Sequence, residues 1–148
     1  MERALIFFGT LLLVSVYALI RGGAPEKIVA ALYLFAYALT VVAARIAGDM
    51  YAKVIGSVLF VDIALVVGLI ILSLYANRYW TMWAASFQIV AIFAHFAKLI
   101  LPGVLSGAYA VTLLVWSYAA LPLLMVATYR HQIRITIFGI DRNWSVRE

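Results

Sequence analysis

The chain has 148 residues, 68% of them hydrophobic and 11% charged, with a formal net charge of +5. A water-soluble domain carries roughly a quarter charged residues, so a soluble globule is excluded. Disorder is excluded as well, because it requires low hydrophobicity and the mean hydropathy here is +1.10.

Of the 11 basic and 6 acidic residues, only Asp62 and Lys98 fall inside apolar runs. The remaining charges sit in short polar breaks or near the ends, and the runs between them match a bilayer core of roughly 30 Å crossed at 1.5 Å per residue. The pattern predicts an all-α, polytopic transmembrane helical bundle over residues 1–129 with five spans. These are 4–20, 28–44, 54–76, 81–101 and 104–129, followed by a basic cytoplasmic tail, 130–148. The first two are near the lower limit of length, so four spans is the alternative count.

Span one follows a basic residue, as a signal peptide would. Its apolar run is longer than the usual signal core, and Arg21-Gly22-Gly23-Ala24-Pro25 does not read as a small-x-small cleavage site. A retained membrane helix is expected. Gly22, Gly23 and Pro25 then break the chain before span two, and Pro102 with Gly103 before span five, because proline lacks a donor and glycine accepts unusual dihedrals. Small residues on span three (Gly56, Gly68), span four (Ala84, Ala85, Ala91, Ala94) and span five (Gly103, Gly107) suit close helix packing. Pro122 should free the Tyr118 carbonyl and bend span five. In the tail, Ile133, Ile135 and Ile137 alternate with Gln132, Arg134 and Thr136, a period of two that predicts an extended or interfacial strip.

Orientation follows from the basic residues of the short loops. Placing the C-terminus in the cytoplasm puts Arg21, Lys27, Arg78, Arg130, Arg134, Arg142 and Arg147 inside, against Arg3, Arg45 and Lys53 outside, which favours N-out, C-in. The net charge is then what insertion requires, and it suits anionic headgroups. Nucleic acid is not an expected partner, since the arginines stand singly at helix ends rather than in a concentrated patch.

Ionisable groups within lipid are costly and face protein or water. Spans three and four form a hairpin around Asn77–Trp80, with Asp62 fifteen residues before Asn77 and His95 fifteen after Trp80, so the two lie at equal depth. Lys98 and Gln88 share the His95 face, three residues beyond and seven before it. Tyr37 and Tyr109 reach the same level, and Arg45 could close the top. The candidate intramembrane cluster is therefore Asp62, His95, Lys98, Gln88, Tyr37 and Tyr109. It reads either as a fixed ion and hydrogen-bond set that selects one packing, or as a site that moves protons. Lys98 alone could instead snorkel outward.

With no cysteine and two histidines the usual metal sites are not expected. Bis-histidine haem ligation is disfavoured because His131 lies at the cytoplasmic boundary and His95 in the outer half. A single-ligand pigment on His95 stays open, but no cofactor is expected. No phosphate loop, nucleophile elbow or HExxH is present.

At Arg78-Tyr79-Trp80, Trp83, Ser86-Phe87-Gln88, His95 and Trp116-Ser117-Tyr118, with an acid at Asp62, the second half resembles a group of short, uncharacterised multi-span proteins of Gram-negative bacteria. The resemblance implies a multi-pass inner-membrane protein and brings no activity with it. The leading expectation for function is a non-catalytic integral membrane subunit or assembly factor, with lipid and other membrane subunits as partners. A proton or small-solute carrier using Asp62 and His95 is the alternative. A small membrane enzyme acting on lipid with His95 as base is the third.

Overall fold

The computed structural model describes residues 2–47, 51–101 and 106–145. Five helices follow in chain order: α1 (Glu2–Arg21), α2 (Ala24–Ala47), α3 (Tyr51–Tyr75), α4 (Trp80–Ile100) and α5 (Ser106–Phe138). The Pro102–Gly103 break, Val104 and Arg147 lie outside the described residues, as do the side chains of Arg3 and Lys53.

Each helix packs on the next, and α5 returns to α1, so the five close into a ring. The shared core is built from Leu11, Val29, Leu69, Leu121 and Leu124, with Ala18, Ala84 and Ala85 letting the backbones approach. The outer surface is apolar as well: Leu13, Phe35, Phe60, Phe93 and Ile100 are all exposed. A surface of this kind in water would aggregate; against lipid it needs no cover. Several hydroxyls on the helices donate back to their own backbone, as Thr10 does to the Ile6 carbonyl and Thr128 to the Leu124 carbonyl, which satisfies them without water. Four helices are long and apolar enough to cross a membrane, and the chain is a multi-pass membrane protein. The described apolar stretch of α1, Leu5–Arg21, has 17 residues, about 26 Å.

Several boundaries differ from the sequence reading, each for a local reason. The second helix starts at Ala24 rather than Ile28, because Gly23 supplies the first carbonyl to the Lys27 N–H at 3.0 Å. Pro25 sits in the first turn, where a missing donor costs nothing, and Glu26 lies at the positive end of the helix dipole. The fifth helix does not stop at Tyr129. It runs to Phe138, so the alternating isoleucines lie on helix and not on an extended strip; Thr136 Oγ1 donates to the Gln132 carbonyl at 2.9 Å. At Gly139 the backbone turns left-handed (φ 72°) and the Gly139 N–H caps the Ile135 carbonyl at 2.8 Å, an ending that glycine accepts without strain. The small-residue expectation holds for the buried Ala84, Ala85 and Ala91, and Gly68 lies beside Leu32. Gly56 and Gly107 face open space instead.

Candidate functional site

Two polar assemblies lie in different halves of the bundle. The first joins α3, α4 and α5. Asp62 Oδ2 is 2.8 Å from His95 Nε2, and Gln88 Nε2 donates to Asp62 Oδ1 at 2.8 Å. The Tyr109 hydroxyl is 2.8 Å from His95 Nδ1, with its ring edge-on to the imidazole. With that hydroxyl donating, Nε2 carries the ring proton and stands close to the carboxylate without the alignment of a hydrogen bond. The imidazole is 1% exposed and the Asp62 side chain 16%.

Equal depth across the hairpin therefore brings Asp62 and His95 together. Lys98 is buried on the same face one turn on and has an interaction of its own, so it does not snorkel into solvent. Tyr37 reaches the same space from α2, stacked on Phe8 at 5.2 Å. Arg45 is exposed and does not close the cluster, because its position on α2 turns it to the outer surface.

A cavity of about 280 Å³ opens beside this chain of groups and is lined from all five helices. Phe7 comes from α1, Tyr37 from α2, Asp62 from α3, Gln88 and His95 from α4, and Trp116 from α5. The sequence reading placed the polar groups but had no means of finding the space, which depends on how five helices splay around one another.

The second assembly was not anticipated. At the end where α1 meets α2, α3 meets α4, and α5 leaves the bundle, Asp141 gathers two arginines and a histidine. Arg78 Nη2 lies 2.6 Å and His131 Nδ1 2.5 Å from Asp141 Oδ2, and Arg134 Nε donates to Oδ1 at 3.0 Å. Arg78 also faces Glu26 at 3.6 Å and donates to the Arg142 carbonyl at 2.8 Å. The Trp80 indole donates to Glu26 Oε1 at 3.3 Å, although Glu26 is wholly buried. Burial would raise the Asp141 pKa, but the hydrogen bonds from Arg134 and His131 and the charges of Arg78 and Arg134 outweigh it and hold the carboxyl below its usual value.

Residues 141–145 are thereby clasped onto the α3–α4 turn. The Asn77 N–H donates to the Asn143 carbonyl at 3.1 Å and the Ser145 N–H to the Tyr75 carbonyl at 2.9 Å. Gln132 ties α5 to the last carbonyl of α1, at Arg21. The available signal was two acids, Glu26 and Asp141, among arginines of the same face; counting only basic residues for orientation passed over it. Among the described residues no group of three or more His or carboxylate side chains is placed to hold a metal.

No protein-family model, no curated protein and no solved structure matches the chain.

Proposed function

We propose that the protein is a membrane carrier whose transfer site is the central cavity, with Asp62, His95 and Tyr109 as the groups that accept and release protons there. The observation that carries this reading is the cavity itself: all five helices contribute to it, and the Asp62 carboxylate and the His95 imidazole lie on its wall, with the Tyr109 phenol against the far nitrogen of the imidazole. A subunit that only stabilises a neighbour has no need of a central space lined by an ionisable pair, which is costly within lipid. The charge clasp at the other end holds the five helices in one arrangement around that space.

The membrane we propose is a bacterial inner membrane, from the resemblance of the second half. The orientation proposed is N-out, C-in, from the loop charges, and the proposed count of five spans is supported by the way α1 buries Leu11, Val14 and Ala18 in the shared core. In reconstituted vesicles holding a pH-sensitive dye, the wild type should dissipate an imposed proton gradient, alone or with a cotransported solute. Asp62→Asn should lower that rate at least tenfold while Arg134→Gln leaves it unchanged. Equal rates for Asp62→Asn and wild type would end the carrier reading.

The subunit reading is kept as a second proposal for one reason. The final part of α5 carries Ile135, Ile137 and Phe138 exposed, beyond what its own bundle covers. A partner subunit captured by a photo-crosslinker at Ile137 would support it; capture of lipid alone would remove it. The enzyme reading has weaker support, because a base acting on lipid needs a reachable ring nitrogen and His95 is enclosed by Asp62 and Tyr109.

A further inference from the structure

The chemistry of the cavity wall narrows what it can hold. Among its described lining residues, Asp62 is the one carboxylate and His95 the one imidazole, and of these Asp62 is the more exposed. Lys98 and the arginines do not line it, so a carboxylate is the charge a ligand meets.

Most of the remaining wall is aliphatic, and five aromatic rings, Phe7, Tyr33, Tyr37, Phe87 and Trp116, are set into it. Phe7 packs against Tyr37 on the α1–α2 side, at 5.9 Å between ring centroids. Phe87 packs against Trp116 on the α4–α5 side, at 5.3 Å. Ring faces carry negative quadrupole potential and attract cations, most strongly where water is excluded. Carboxylate and rings therefore reinforce one another for a cation and oppose an anion. The volume is at the small end of ligand sites, which run from roughly 300 Å³ upward, so the space admits a molecule of about one ring and one charged group.

We propose that the cavity binds a small lipophilic organic cation, an ammonium carrying an aromatic or branched apolar group, with Asp62 as its counter-charge and the Phe7–Tyr37 and Phe87–Trp116 pairs as its walls. This deepens the carrier reading and rests on it for transport, though not for binding. An inorganic cation would find Asp62 and the neutral oxygens of Gln88, Thr40 and Ser117, but would leave the five rings unused. A lipid tail would leave the carboxylate unanswered.

Asp62 already stands 2.8 Å from His95 through one oxygen and accepts from Gln88 through the other, so both groups hold the carboxylate in place for an ammonium that enters the cavity. The groups around His95 are Asp62 on α3, Tyr109 on α5, and Gln88 and Lys98 on its own helix, while Tyr37 faces the cavity from α2.

The test uses the purified full chain in mild detergent and three probes of matched shape. Benzyltrimethylammonium is the cation, neopentylbenzene its neutral isostere and benzenesulfonate the anion. Equilibrium dialysis and ligand-dependent thermal shift should show saturable binding of the cation, at least tenfold tighter than either other probe. Asp62→Asn should weaken the cation at least tenfold and leave the neutral probe unchanged, and Trp116→Leu should weaken the cation about three- to tenfold.

Should Asp62→Asn fail to fold, the order of the three probes on the wild type decides. Anion or neutral probe binding as tightly as the cation overturns the proposal, and so does cation binding that Asp62→Asn leaves unaltered. Vesicle flux separates the two claims. Cation binding without any flux ends the carrier reading and leaves the site standing. Proton flux without cation binding ends the site and leaves the carrier.

Discussion

Replacing Asp141 with asparagine probes the clasp at its centre. The substitution keeps the shape and one carbonyl oxygen, and removes the charge that Arg78, His131 and Arg134 share at 2.5 to 3.0 Å. Breaking a buried ion pair by removing one partner costs about 3 to 5 kcal/mol. Two facts reduce that here. Glu26 stays 3.6 Å from Arg78, and the Arg134 side chain, 30% exposed, can turn to water. A cost of about 2 to 3 kcal/mol remains, felt first by residues 141–145 because they are joined to the bundle through this contact. The amides of Asn77 and Ser145 report its opening directly, since their acceptors lie across the clasp. Hydrogen exchange at both should accelerate about 30- to 140-fold, at tenfold per 1.4 kcal/mol. Arg134→Gln, which leaves the Arg78 and His131 contacts intact, should change them less than about threefold, in keeping with the small worth of a partly exposed pair. An acceleration of threefold or less in Asp141→Asn, matched by Arg134→Gln, would refute the assignment of Asp141 as the hub.

A methyl group at Gly23 should be costly as well. Its Cβ would lie 2.5 Å from Asn143 Oδ1, 2.7 Å from His131 Cε1 and 3.0 Å from Glu26 Oε2, all held by the clasp. Gly23→Ala is expected to lose about 1 to 3 kcal/mol in detergent unfolding, as overpacking does; Gly9→Ala, with nothing within 4 Å, should lose nothing, and equal effects would count against the crowding. Acid should open the clasp. Because the folded Asp141 pKa lies below the unfolded value of about 3.9, its contribution is fully present above that pH and is lost as pH falls through the lower folded value. Exchange at Ser145, corrected for intrinsic rate, should be flat from pH 7 to about 4 and rise below it. Asp141→Asn should lack that acid limb; a midpoint near neutrality would contradict the sign.

What was legible in the sequence was what depends on distance along one helix or across one tight hairpin. The lengths of the apolar runs placed all five helices, and the symmetry of Asp62 and His95 about Asn77–Trp80 brought those side chains to the same depth, with Gln88 and Tyr109 close enough to complete the chain. What was not legible depends on the ring closing. Glu26, Arg78 and Asp141 are separated by 50 or more residues of helix between one pair and the next, and they meet because the helices alternate in direction and α5 returns beside α1. The period of two in Gln132–Ile137 misled for a different reason. A short alternation of isoleucine with polar residues is compatible with either backbone, and continuity with the preceding helix decided in favour of helix, with Gly139 as the first residue able to end it.

The same clasp bears on which way the protein faces. Basic residues near helix ends resist translocation, and their number sets orientation. Arg78 and Arg134 are partly answered by Glu26 and Asp141, so the sequence count alone overstates the bias at that end. Arg21, Lys27, Arg130 and Arg142 nevertheless stay exposed there, whereas Arg45 is the exposed basic residue described at the other. The acids reduce the bias without reversing it, because acidic residues contribute little to the insertion decision. A cysteine at Ile140, on the exposed stretch after α5, should therefore be shielded from impermeant thiol reagent in intact cells and label after permeabilisation. A cysteine at Glu2 should label without permeabilisation. Reversed labelling would overturn the orientation. Shielding of both would mean that α1 does not cross the membrane, and would reduce the spans to four.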